Sequence, residues 1–163
     1  MEQKIKQQKT KTAEQALQSL MRMCARSERS SGDALRLMKR WGVADDAARK
    51  VLAKLLADRF IDDARYAEAF VRDKLNLSGW GAYKIKTALR NKGVSKDIID
   101  EVVAPMIAET DMTERLEDIM RRKMRTLKYS SVYDAKNKLI RFAASRGYEL
   151  DEAIECASKI VGK

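Results

Sequence analysis

The 163-residue sequence has no histidine, one proline, seven glycines, two cysteines and only 6% aromatic residues. Each scarcity excludes something. Without histidine there is no Ser-His-Asp or Cys-His nucleophile system and no imidazole metal ligand. Cys24 and Cys156 are too few for a four-thiolate zinc site, and both fall among apolar residues at helical spacing, where reduced core thiols are expected. So few turn-formers disfavour a hairpin-rich β sandwich. The longest apolar run, Val102 to Ala108, is far too short to span a bilayer and contains Pro105. Residues 1–11 read as a basic tail with no apolar stretch behind them, so a soluble cytoplasmic protein without a secretory signal is expected.

What the chain does have is charge and helix formers. Charged residues make up 36% and the net charge is +10, which points to a polyanionic partner. Apolar residues recur at helical spacing almost throughout: Leu17, Leu20, Met21 and Cys24; Val51, Leu52, Leu55 and Leu56; Leu116, Ile119, Met120 and Met124. Capping chemistry marks the helix starts. Thr12 precedes Gln15 and Asp111 precedes Glu114 at capping-box spacing, and Asp62 and Ser95 open two further segments. Gly42, Gly93 and Gly147 are placed as helix C-caps.

These glycines expose an internal repeat. A shift of 51 residues lays Gly42-Val43 on Gly93-Val94, and Ala34 and Met38 on Ile85 and Leu89. A further shift of 54 lays Gly93-Val94 on Gly147-Tyr148, and Ile85 and Leu89 on Leu139 and Ala143. The expected fold is all-α: three tandem three-helix repeats, residues 12–61, 62–110 and 111–163, forming an elongated, curved rod. Pro105 falls inside the last helix of the second repeat, where it is expected to kink or end that helix.

One stretch carries a sharper signature. Asp62-Asp63-Ala64-Arg65-Tyr66-Ala67-Glu68-Ala69-Phe70 is followed by Gly81-Ala82-Tyr83-Lys84-Ile85, Ala88-Leu89 and Lys92-Gly93-Val94. This resembles the RecX family, bacterial regulators of the RecA recombinase. Ala88 departs from the family's usual Glu, and Phe142-Ala143 stand where Glu-Leu is usual in the third repeat. The resemblance implies a non-enzymatic, monomeric regulator of homologous recombination and DNA repair within the SOS response. It implies binding to the RecA–DNA filament with inhibition of recombinase and co-protease activities, and no cofactor.

Charge is unevenly spread. Residues 62–109 are neutral overall, whereas 115–146 carry +7. In the basic block, Arg121, Arg125 and Lys128 fall on one helix face, and Lys138 and Arg141 on the polar face of the next. With Arg122 they are the candidate phosphate contacts to single- or double-stranded DNA, weak and sequence-independent. In the neutral repeat, Tyr83, Lys86 and Arg90 share one edge of the middle helix and Lys84 an adjacent one. With Arg65, Arg72 and Lys92 they are the candidate contacts to the recombinase filament. Arg65 has an equal alternative in an intramolecular ion pair. The adjacent acids Asp62 and Asp63 are explained by helix capping, and nothing else stands at metal-ligand spacing. A stand-alone helix-turn-helix-like DNA-binding protein is the alternative function.

Overall fold

The computed structural model describes residues 9–162; of the basic tail it therefore covers only Lys9, Thr10 and Lys11. Among the described residues there are nine helices and no strand. The first triplet is α1 (Ala13–Arg26), α2 (Ser31–Arg40) and α3 (Asp45–Ala57). The second is α4 (Asp63–Asp73, running on through a π-helical turn, Lys74–Ser78), α5 (Ala82–Asn91) and α6 (Lys96–Ile98, a π-helical turn Ile99–Val103, then Ala104–Ala108). The third is α7 (Met112–Thr126), α8 (Val132–Ser145) and α9 (Leu150–Val161).

The starts follow the capping chemistry. Thr12 and Gln15 form a reciprocal capping box on α1, and Asp111 accepts the Glu114 amide to open α7. The middle helices end alike. Gly42, Gly93 and Gly147 all take left-handed φ values, +77°, +82° and +89°. The Val43 amide reaches back to the Met38 carbonyl at 3.0 Å and the Tyr148 amide to Ala143 at 3.2 Å, bonds that satisfy otherwise orphaned carbonyls. On all three middle helices the residues paired by the repeat are sealed from solvent: Ala34 and Met38, Ile85 and Leu89, Leu139 and Ala143 are each 0% exposed.

Pro105 does not end α6. The helix runs through it to Ala108, because the turn just before it widens to π geometry, with the Ala104 amide bonded to the Ile99 carbonyl. A proline lacks the amide that would bond four residues back, and its ring crowds that carbonyl. A wider turn placed immediately before it takes up the defect. The same widening shifts the buried stripe: Val103 is fully buried, whereas Val102 and Met106, which the repeat pairs with Val51 and Leu55, are only half-buried.

The chain divides into two compact units. One runs up to Tyr66 and also includes Lys92–Ser95; the other comprises Ala67–Asn91 and the chain from Lys96 on. In the first, Leu20, Met38, Leu55 and Ile61 are the largest sealed side chains of the core. In the second, Leu116, Met120, Leu139, Ala143 and Cys156 pack together with Tyr148. Both cysteines are free, and burial pushes both thiols above their ordinary pKa.

Candidate functional site

Within each unit the same joint recurs, and it fixes where the signature residues point. In the first unit the Ser30 hydroxyl caps α2 by accepting the Asp33 amide and donates to the Lys92 carbonyl at 2.8 Å. In the second unit Gly81 stands where the repeat places Ser30, and its amide donates to the Arg146 carbonyl at 2.6 Å. Arg146 is in turn the repeat counterpart of Lys92. The backbones meet so closely that a Cβ on Gly32 would lie 2.2 Å from the Lys92 carbonyl oxygen, and one on Gly81 2.5 Å from that of Gly147. Glycine is required because backbone lies on backbone.

The acidic pair of the signature works at the first of these joints. Asp62 accepts the Arg65 amide at 3.0 Å and caps its own helix. Asp63 accepts the Ser31 amide at 2.8 Å and so helps to cap α2. Arg65 takes the intramolecular role: its Nε donates to Glu28 at 2.6 Å, and its outer nitrogen to the carbonyls of Arg59 and Phe60. The Glu28 hydrogen bond raises the guanidinium pKa further. Lys92 lies 3.5 Å from Asp33. Burial opposes the Asp33 charge, but the Arg36 hydrogen bond, the Lys92 charge and the Ser30 hydroxyl outweigh it and hold the pKa below the ordinary carboxylate value.

The second joint captures Lys84. Its ammonium donates to the Ser145 carbonyl at 3.0 Å and lies 4.5 Å from the centre of the Trp80 ring, where Lys74 also sits at 4.5 Å. Tyr83, Lys86 and Arg90 are left as the outward edge of α5. Tyr83 is 65% exposed, Arg90 donates only to Thr87, and Lys86 has no ion pair among the described residues. Arg72, exposed on α4, reaches Glu68 one turn back.

The basic block is arranged in two parts. On the helix faces expected from the sequence, Arg121 is paired to Glu117, and Lys138 is held by Asp134 at 3.0 Å and by the Lys128 carbonyl at 2.8 Å. Arg122, Arg125 and Arg141 are exposed on their helices, whereas Lys128, expected on the face of Arg121 and Arg125, lies beyond the end of α7 at Thr126 and is exposed there; none of the four has an ion pair among the described residues. The second part, which the face-by-face reading missed, is a cleft of about 360 Å³ lined by the π-helical turn of α4 and by Arg115, Arg122, Lys123 and Arg146. Arg115 donates to the Leu75 carbonyl at 2.9 Å and Arg146 to that of Ser78 at 3.4 Å. Those carbonyls belong to the last turn of α4, where cationic side chains are favourable partners.

Two RecX family models match this chain, the second three-helix domain over residues 62–103 and the third over 109–156. A protein named regulatory protein RecX, from Mycolicibacterium vanbaalenii, is 32% identical over 152 residues, which cover 90% of this chain and 82% of the relative. The chain belongs to the RecX family. Its Clostridium botulinum relatives of the same name include one 35% identical over 86% of this chain and another 34% identical over 77%. The chain spans only 64% and 58% of those two proteins. The crystal structure of RecX from Lactobacillus salivarius shares the fold, with a TM-score of 0.73 at 19% identity, covering 91% of this chain and 96% of that one. The RecX relatives are named regulatory proteins, and this chain has the all-α repeat architecture of the family. Among the described residues no helix is long and apolar enough to cross a membrane.

Proposed function

We propose that this RecX-type protein is a non-enzymatic regulator of homologous recombination and DNA repair that binds the RecA–DNA filament as a monomer in the cytoplasm. Bound there, it inhibits recombinase and co-protease activities. Its functional segments are residues 12–61, 62–110 and 111–163. The observation that carries this reading is a division of charge. The repeat with the family signature is neutral yet presents Tyr83, Lys86 and Arg90 outward, while Arg122, Arg125, Lys128 and Arg141 of the next repeat remain unpaired among the described residues.

The α5 edge and Arg72 contact recombinase subunits, and the basic faces, including Arg121 and Lys138, follow DNA phosphates. Arg65, Lys84 and Lys92 serve this contact chiefly by holding the joints that orient α5. Contact spread over several repeats gives avidity without any single strong site.

Co-sedimentation tests the reading. The protein should pellet with RecA filaments assembled on single-stranded DNA at protein concentrations where DNA alone retains little of it. Equal retention by filament and bare DNA would contradict it. Strong retention by one duplex sequence, weakly dependent on salt, would favour a stand-alone sequence reader instead.

A further inference from the structure

We propose that the link between α7 and α8, together with the first turns of α8, is a stacking site for single-stranded nucleic acid, with Tyr129 and Tyr133 as the base platforms. This rests on the reading of the third repeat as the nucleic-acid face and names the form of nucleic acid it takes. Of the chain's ten aromatic residues, Tyr83, Tyr129 and Tyr133 are the exposed ones among the described residues. Tyr133 is 77% and Tyr129 49% exposed, and they lie four positions apart within the most basic stretch of the chain.

The backbone carrying both rings is fixed. The Asp134 carboxylate accepts the Ser130 amide at 3.0 Å, the Asp134 amide donates to the Ser131 hydroxyl at 3.1 Å, and Lys138 bridges Asp134 to the Lys128 carbonyl. Tyr129 and Tyr133 are therefore presented by a pinned segment, which reduces the ordering cost of a ligand laid across them. The same bonds absorb the one local acid: the Ser130 amide and the Lys138 ammonium hold Asp134 in its charged form. Arg125, Lys128, Lys136 and Arg141 remain without an ion pair among the described residues. On α8, Tyr133, Asn137 and Arg141 follow one another at four-residue intervals along a single stripe.

Aromatic rings interleaved with unpaired cations suit a flexible polyanion whose bases are free to stack. In a duplex the base faces are already occupied by their neighbours, so rings placed this way gain nothing from it. An acidic protein surface would match the cations but makes no use of the two exposed rings.

Anisotropy of a labelled fifteen-residue oligothymidylate, titrated with the full chain in the absence of any recombinase, tests this directly. Tyr129→Ala and Tyr133→Ala should each weaken binding by about 5- to 150-fold, the equivalent of one lost stacked base. Tyr129→Phe and Tyr133→Phe should stay within about twofold, because the ring face is kept. Binding to a blunt duplex of equal length should not change, and circular dichroism should confirm folding of these surface variants. Unchanged oligothymidylate binding in the alanine variants would overturn the proposal, as would equal losses on single strand and duplex. Wild-type chain that ignores oligothymidylate, with alanine variants that lose the filament, would assign the rings to a protein contact and overturn it as well. Failure of the recombinase reading would leave the expected oligothymidylate result untouched.

Discussion

Replacing Gly147 with alanine should weaken the second joint by more than its backbone conformation alone accounts for. Gly147 holds φ +89°, and an alanine in the left-handed region costs roughly 1–2 kcal/mol. The new Cβ would also lie 2.3 Å from Lys84 Cβ and 2.5 Å from the Lys84 amide nitrogen. Neither atom can swing away, since both belong to the start of the side chain or to the backbone of α5. Relief requires α5 to shift, and overpacking of this kind costs about 1–3 kcal/mol more. Gly42→Ala is the matched control. It sits at φ +77° with the same capping role, but its Cβ would meet only Thr10 Cγ2 at 3.8 Å, an ordinary contact. Strain without crowding predicts about 1–2 kcal/mol there. The difference of about 1–3 kcal/mol corresponds to roughly 2–12 °C in melting midpoint for a chain of this size. Thermal melts followed by circular dichroism and by tryptophan fluorescence would measure it. Trp80 lies beside Lys84 at the joint and Trp41 is in the first triplet, so single-tryptophan backgrounds assign each loss. Equal losses in Gly147→Ala and Gly42→Ala would refute the close approach at this joint.

Three other outcomes follow from the geometry. Tyr148 has its hydroxyl buried with no protein partner among the described residues, and burial pushes its pKa up to about 12. The neutral phenol is favoured in the folded chain, so its contribution is complete below about pH 10 and lost as pH rises toward 12; Tyr148→Phe should be at least as stable at neutral pH and should flatten that alkaline loss in urea titrations, and an unchanged profile would show that Tyr148 does not titrate on unfolding. A double-mutant cycle on Arg65→Ala and Glu28→Ala should return about 0.5–1 kcal/mol of coupling, as expected for a half-exposed ion pair, and no coupling would remove Arg65 from the first joint. Lys86→Glu combined with Arg90→Glu should weaken filament inhibition while leaving circular dichroism unchanged, because both side chains lie on the outward edge of α5; full inhibition by that variant would move the protein contact elsewhere.

The repeat was legible because three requirements coincide at each unit: a left-handed C-cap, a sealed pair on the middle helix and a fixed gap between them. Gly42, Gly93 and Gly147, with Ala34/Met38, Ile85/Leu89 and Leu139/Ala143, satisfy all three. The Thr12, Asp62 and Asp111 caps were legible for the same reason, since capping acts over three residues. Contacts made at long range were not. Arg65 meets Glu28, 37 residues away, rather than a neighbouring aspartate. Asp63 caps a helix other than its own, and Lys84 leaves the free edge of α5 for a carbonyl 61 residues on. That α6 continues past Pro105 is not legible in helical spacing, which carries no sign of a π turn; the turn shows only in the bond from the Ala104 amide to the Ile99 carbonyl. The exposure of Tyr129 and Tyr133 is not legible in the sequence, because periodicity finds buried stripes and an aromatic residue beside a helix start reads equally well as core.

Action of this RecX-family chain on the recombinase filament, and not on DNA alone, is what we propose. Steady-state ATP hydrolysis by RecA on single-stranded DNA, titrated with this protein, tests it most directly. Inhibition is expected at amounts well below those needed to cover the DNA, and its loss in Lys86→Glu with Arg90→Glu. Hydrolysis that stays constant until the DNA is saturated would contradict it.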